Sequence, residues 1–441
     1  MPGNQPDRWE ERTRQWLDES MDPGIDASLQ PENMVYDADG RPQRVTDFHF
    51  GRLRRKLKIF RWLDRLDFSS LIDIASGWDH VPYLVTARYG VPAYYSDMVH
   101  RMNLPIDGPE FGKLDHAVTI ALPRLPFQDA AFDVVLCTEV LEHLVRPIET
   151  LAELVRITRK YLILTSLEAL SVNRWQRLWS HHRVDVRIPH IERNFFLLSE
   201  FRALLGTDIH HENLLFNPHS PASPFAPPAE RRAAYAALAD PESLETALCR
   251  AVAEGRHGDG AMGILIVKAL PGAAVRPPQP DADGQLARWL IDRAAYEERY
   301  KYLVTNLAVT YLKNIAPFPQ DVADALRQRP VAPALLSLLR CPDCRGELAP
   351  RGLGLRCRVC SRSFESELGV PILYPTASVD DETFVDQSLA RLCGDDHARQ
   401  RTVRRIRRRL RRNERRPGSL RRTAWWIERR LGAPPVPDDT I

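Results

Sequence analysis

Four cysteines stand in two close pairs, Cys341-Pro-Asp-Cys344 and Cys357-Arg-Val-Cys360, with twelve residues between the pairs. Two C-x-x-C turns bring four thiolates around one tetrahedral ion, and Zn²⁺ suits a closed four-sulfur site. Four thiolates leave no open coordination position, so such a metal is structural. A second constellation lies at residues 70–80, Ser-Leu-Ile-Asp-Ile-Ala-Ser-Gly-Trp-Asp-His. There an apolar run (Leu71, Ile72, Ile74) carries Asp73 near its end, and the small residues Ala75, Ser76 and Gly77 follow where the chain must turn. Backbone can approach a ligand closely only where no bulky Cβ substituent intervenes. The first N–H groups of the helix entered at Pro82 can then face an anionic group. Asp97 closes the next apolar run, 92–96, twenty residues after Gly77, where an acid accepts hydrogen bonds from ribose hydroxyls. A third stretch, Leu125 to Leu144, reads LPFQDAAFDVVLCTEVLEHL and sets Glu139, Glu142 and His143 close together. Carboxylates and an imidazole are groups that can move a proton.

The elements that must position these residues alternate. Strands are expected at 71–75, 92–96, 117–121, 133–138 and 161–165, with helical stretches between them. Such alternation predicts a parallel, doubly wound sheet with right-handed crossovers. Ligands in such sheets sit outside the carboxyl ends of the strands, where Asp73 to Gly77, Asp97 and Glu139 to His143 all fall. Two further strands are expected at 212–216 and 262–267. Between them comes an insert with Pro218, Pro221, Pro224, Pro227 and Pro228, then a helical stretch around 230–254. Phe50 to Phe68 has the period of an amphipathic helix, and its basic face (Arg52, Arg54, Arg55, Lys56, Lys58) is expected in solvent.

Together the three strand-end stretches resemble the class I S-adenosylmethionine (SAM)-dependent methyltransferases, over roughly residues 50–270. Members carry a D-x-G-x-G-x-G turn, an acid after the second strand and an LPF-x-D-x-x-FD-x-V…E-V-L-E-H-L run. The fold implied is α/β, a Rossmann-like doubly wound sheet, with the strands at 212–216 and 262–267 as its closing antiparallel pair. The resemblance implies cofactor binding by Asp73, Ala75, Ser76, Gly77, Asp97 and Glu139, and a catalytic role for His143 with Glu142. This chain departs from the pattern at Ala75 and Asp79, which replace glycines, and at Ala121, where an acid usually reaches the adenine amino group. In similar ubiquinone-pathway O-methyltransferases a Glu-x-x-Glu-His run binds a divalent cation, and Glu139, Glu142 and His143 match it here. The segment from Ser180 to Phe196, rich in His, Arg and aromatics, borders the methyl-accepting pocket in that fold. Residues 335–376, which hold Cys341, Cys344, Cys357 and Cys360, resemble the small zinc-ribbon domain that activates several RNA and protein methyltransferases.

Length and charge complete the outline. A chain of 441 residues is too long for one core. It divides into an N-terminal extension (1–49), the methyltransferase unit (50–270), a linker and helix (271–334), the ribbon (335–376) and an arginine-rich helical tail (377–441). The net charge of +3 conceals an asymmetry: residues 397–431 hold 15 arginines and two glutamates, contributing +13 and leaving the remainder at −10. In the tail, Val403, Ile406 and Leu410 fall on one helical stripe, and Trp425, Trp426, Ile427 and Leu431 repeat the pattern. Such a segment can neutralise RNA phosphates, lie on an anionic membrane surface or pack on the acidic body. No apolar run approaches the roughly 18 residues of a membrane span, and a reducing, cytoplasmic setting is expected for the thiols.

Three functions follow from these expectations. The first is O-methylation of a small molecule or a glycan or lipid precursor. The second is RNA methylation, although Cys137-Thr138-Glu139-Val140 stands where enzymes that methylate base nitrogens commonly carry N/D-P-P-Y/F. The third is a zinc-ribbon scaffold without catalysis.

Overall fold

Four strands whose side chains are all buried except Thr138 make the centre of the protein: β1 (Leu71–Ile74), β2 (Ala93–Asp97), β3 (Ala117–Ile120) and, next to β1 on the other side, β4 (Phe132–Thr138). Alternate residues face opposite sides. Ile72, Val135, Leu162 and Ile266 enter one core, whereas Leu71, Val134, Ile163 and Leu265 enter the other. Near-continuous apolar strands of this kind belong to sheets covered on both faces. The structure is a computed structural model. It describes residues 47–77, 81–98, 113–167, 194, 196–213, 233, 237–254, 263–278, 283–293, 328–367, 369–376 and 382–414. The expectations for residues 1–46, Trp78 to His80, most of 180–196, the proline-rich insert and the tryptophans of the tail lie outside the described residues.

The sheet has nine strands in the order β11-β12-β3-β2-β1-β4-β5-β7-β6. Here β5 is Thr158–Leu167, β6 Ile209–Asn213, β7 Gly263–Ala269, β11 Ser366–Glu367 and β12 Val370–Leu373. β1 pairs in parallel with both β2 and β4, in register Leu71 to Ala93 and Leu71 to Val134. Strand order reverses there, which opens the ligand crevice of a doubly wound sheet at the β1 and β4 carboxyl ends. β7 runs antiparallel between β5 and β6. The edge strand expected at 212–216 starts earlier, at Ile209, and is described over 209–213, with residues 214–216 outside the described residues. Its alternation of buried Ile209 with His210, His211 and Glu212 is a polar edge pattern that the apolar Leu214-Leu215-Phe216 obscures.

Helix α1 (Asp47–Leu63) corrects a second expectation. Its basic face is not in solvent: Lys56 and Lys58 are each 1% exposed and Arg54 is buried. The helix lies under α6 (Pro241–Glu254) and a helix at 283–293, so acids meet its cations from several sides. Arg61 Nε donates to Asp283 at 2.7 Å, and Lys58 lies 3.9 Å from Glu212. The helix at 283–293 therefore belongs to the layer that covers this face of the nine-stranded sheet. Residues 271–278 lead to it along the core, with Tyr161 Oη donating to Ala274 O and Arg276 N to Arg65 O.

The opposite face carries α4 (Pro147–Ile157) and α5 (Leu198–Leu205), and the C-terminal third of the chain closes over them. The ribbon contributes Leu339, Leu355 and Phe364 to the same core as Ile72, and the tail contributes Val403, Ile406 and Leu410. β12 extends the central sheet by pairing in parallel with β3, Ile372 with Thr119 and Leu373 with Ile120. Ribbon, tail and central sheet thus share one apolar interior.

At the amino end of β4 the Asp133 carboxylate, 1% exposed, accepts bonds from Ser69 N and Oγ and from Arg159 Nε. Burial pushes this carboxyl up, but the bonds from Arg159 and Ser69 outweigh it and hold the group below its ordinary value of 3.8. A depressed carboxylate stabilises the fold fully above that ordinary value, and the contribution is lost as pH falls through the lower folded value. The urea midpoint is accordingly expected to drop below about pH 4, and Asp133→Asn to flatten that drop.

Candidate active site

The turn after β1 is fixed by its neighbour strand. Ser76 N donates to Ser96 O at 2.8 Å, Ser96 Oγ to Asp73 O at 3.0 Å, and Gly77 N to Asp97 Oδ2 at 3.0 Å. Asp73, Ala75, Ser76, Gly77 and Asp97 therefore form one unit at the β1 and β2 carboxyl ends. Two of its residues have left-handed backbone, Ala75 at φ 59° and Gly77 at φ 54°. Only the second is a glycine, and a Cβ placed on Gly77 would meet nothing within 4 Å. The turn faces open space on that side, as close approach of a ligand requires. Asp73 and Asp97 are both buried beside this space.

The β4 end is built differently. Glu139 also takes left-handed backbone, at φ 54°, with its N–H held by Thr165 O and Oγ1 on β5. That backbone turns its side chain to the first helix, where Arg55 Nη1 lies 2.6 Å from Glu139 Oε2. Glu142 is 2% exposed and receives Ser166 Oγ at 3.5 Å. Between Asp73 and Glu142 sits Cys137, whose thiol is pushed well up by burial first and then by these two carboxylates. His143 is half-buried on the turn that follows. That turn is stapled by Asn194, whose Nδ2 donates to Leu141 O at 2.9 Å and Leu144 O at 2.7 Å, while its N–H donates to Glu142 O.

Sequence reasoning missed Arg55, Thr165 and the stapling role of Asn194. Arg55 was visible only as one of five cations in a row, and a φ above zero at Glu139 has no signature in a Thr-Glu-Val sequence. Among the described residues the four cysteines are the only cluster suited to a metal ion, so Glu139, Glu142 and His143 do not converge as a cation site.

The cysteines do converge, with all four sulfurs within 4.8 Å of one another. Cys341 Sγ lies 3.7 Å from Cys360 Sγ and Cys344 Sγ 3.4 Å from Cys357 Sγ. A regular tetrahedron of sulfurs with Zn–S bonds near 2.3 Å has edges of about 3.8 Å, so the set fits Zn²⁺. Val359 N and Cys360 N both donate to Cys357 Sγ at 3.4 Å. Burial pushes the Cys357 thiol up, but these N–H groups and the neighbouring thiols bring it down to about 7. Gly346 packs against this site; a Cβ there would lie 3.0 Å from Cys357 Sγ.

Comparison with known proteins agrees with this geometry. Residues 94–164 match the family described as methyltransferase domain. No curated protein matches the chain. Among solved structures, a SAM-dependent methyltransferase from Thermotoga maritima, a possible histamine N-methyltransferase, is similar at 17% identity. It covers 50% of this chain and 92% of its own, with a TM-score of 0.33. A SAM-dependent methyltransferase from Archaeoglobus fulgidus is 16% identical, covering 49% and 92%, at 0.30. A complex from Haloferax volcanii that contains the Trm112 methyltransferase activator is 15% identical, covering 53% and 96%, at 0.33. At these scores the structural likenesses carry no weight of their own. SAM is the cofactor of the matched family, and the strand ends that would receive it are those that residues 94–164, the stretch similar to that family, span or adjoin.

Proposed function

We propose that the chain transfers the methyl group of SAM to a hydroxyl oxygen of a small molecule or of a glycan or lipid precursor. The observation that carries this reading is the loop after β4, where Asn194 fixes the turn that holds His143 partly accessible beside the crevice. SAM supplies, when bound, a methyl group already activated by its sulfonium. The protein has to hold the acceptor in line, and positioning alone can contribute several kcal/mol. A ring nitrogen of His143 takes the hydroxyl proton, while buried Glu142 supports the turn from beneath. Asp97 would receive the ribose hydroxyls of bound SAM, and the open side of Gly77 would admit it. The four-cysteine site stands apart in the ribbon and serves structure.

Asp97→Ala removes both a ribose acceptor and the anchor of the Gly77 N–H. A hydrogen bond to a charged group is worth about 1.5–3 kcal/mol, so SAM affinity is expected to fall roughly ten- to a hundredfold by calorimetry. No heat from SAM with the intact protein would favour the scaffold reading. Labelled SAM incubated with fractionated cell extract tests the acceptor: label in small molecules supports the proposal, and label in RNA supports the second reading.

A further inference from the structure

The arginine-rich helix α10 (His397–Glu414) divides its cations between two jobs. Asp396 Oδ1 caps its start, accepting Ala398 N and Arg399 N. One face is committed to the body. Val403, Ile406 and Leu410 are buried in the shared core. Arg399 donates to Ala203 O and Leu204 O at the end of α5, Arg409 to Glu200 in the first turn of α5, and Arg407 to Glu149 in the first turn of α4. The opposite face is different. Arg401, Arg405 and Arg408 are exposed, at spacings of four and three, and make no hydrogen bond or ion pair among the described residues. Arg404 beside them reaches Asp386 at 3.3 Å.

The direction of the helix matters as much as its charge. Its beginning meets the last turn of α5, and its later residues meet the first turns of α4 and α5. Those first turns adjoin the carboxyl ends of the strands: α4 begins three residues after Leu144, and α5 begins just past Asn194, which staples the His143 turn. The stripe of free guanidinium groups therefore climbs toward the rim of the methyl-transfer site over about 10 Å.

We propose that the outward face of α10, through Arg401, Arg405 and Arg408, docks the phosphate backbone of a nucleic-acid strand and leads it to the rim of the site. A basic stripe along one helix is the electrostatic footprint of such a partner. Lipid is the poorer fit, because an interfacial helix needs its apolar face free to enter the membrane boundary, and here Val403, Ile406 and Leu410 are already buried in the protein. The surface rests on packing and charge, and it stands whichever hydroxyl accepts the methyl group.

The test is anisotropy of a short labelled single-stranded RNA with the full chain across a salt series, with phosphatidylserine vesicles in parallel. Binding that weakens with salt is expected. The triple variant R401Q/R405Q/R408Q should lower the slope of log affinity against log salt by about two units, at roughly 0.7 per phosphate contact. The corresponding lysine variant should keep the slope, and SAM binding by calorimetry should be unchanged in both, which shows that they fold. An unchanged slope in the glutamine variant overturns the proposal. So does absence of RNA binding at low salt, or binding to vesicles without binding to RNA.

Discussion

Glu153→Ala is expected to destabilise the protein by about 3–5 kcal/mol, the cost of removing one partner from a buried ionic cluster. Glu153 is fully buried on α4 and serves three arginines from three parts of the chain. Arg156, one turn along the same helix, donates to both its oxygens at 2.9 Å. Arg345, between the ribbon's first two cysteines and its sheet, reaches Oε2 at 2.5 Å, and Arg391 of the helix Glu382–Cys393 reaches Oε1 at 3.2 Å. Burial raises the Glu153 carboxyl, but Arg156 and then Arg345 outweigh it and hold it below the ordinary value. The guanidiniums fare less well. Burial lowers Arg345 and Arg391, and Arg156 repels both. Apart from the more exposed Asp129, which accepts from Arg156 Nη1 at 2.8 Å, one carboxylate keeps three crowded cations in place, and deleting it leaves them facing one another. Glu153→Gln keeps the volume and loses the charge, so an intermediate loss is expected. Adding Arg391→Ala to Glu153→Ala should cost less than the two separate losses together, because one repelling cation leaves with it. Urea denaturation measures each; a loss under about 1 kcal/mol for Glu153→Ala would remove this cluster from any role in joining ribbon and tail to the sheet.

Much of the architecture could be read from local pattern. Leu71 to Ile74 and Phe132 to Thr138 are apolar because both faces of the sheet are covered, and the small residues after β1 mark a turn. The two C-x-x-C pairs are local as well, since each pair needs only one turn to aim both sulfurs inward. What escaped the sequence depends on distant partners. Arg55, Lys58 and Arg61 look solvated until Glu139, Glu212 and Asp283 arrive from elsewhere in the chain. The stripe Val403-Ile406-Leu410 was legible, but RNA, membrane and body all accept such a helix, and only Glu149 and Glu200 on the facing helices select the body. The pairing of β12 with β3 joins residues some 250 positions apart, and a strand as short as Val370-Pro-Ile-Leu373 carries no mark of its partner. At the candidate site, Asp97 was placed by spacing, yet its bond to the Gly77 N–H shows that it also fixes the turn it serves.

Stripping metal from the four cysteines, by chelation or by Cys341→Ser, is expected to unfold the ribbon and to loosen the cofactor side of the sheet. Structural Zn²⁺ contributes on the order of 10–16 kcal/mol at neutral pH, and a unit of about 40 residues has too little core to hold itself together otherwise. Its own sheet is small: β8 (Leu348–Arg351), β9 (Gly354–Cys357) and β10 (Ser363–Phe364), with Cys357 closing β9. The consequences travel along identified bonds. Leu339 bridges Phe127, Arg340 N donates to Pro126 O, and Gln128 N donates to Leu338 O. β12 covers the edge of β3, and Tyr374 Oη donates to Met98 O at 2.6 Å, one residue past Asp97. Within the sheet, Thr119 of β3 lies beside Asp97 itself. Hydrogen exchange after chelation should therefore quicken in 348–357, at 338–340 and in β3, whereas β5 and β7, which pair with no strand of the ribbon's sheet, keep their protection. SAM affinity should fall in the same sample, because the carboxylate meant for the ribose loses its support from Met98 and Thr119. The uncovered β3 edge should also promote association between chains, visible as larger particles by light scattering. If β3 stays protected while the metal leaves, the apolar contacts of Leu339, Leu355 and Phe364 alone hold the ribbon down, and the zinc site has no hold on the crevice at the strand ends.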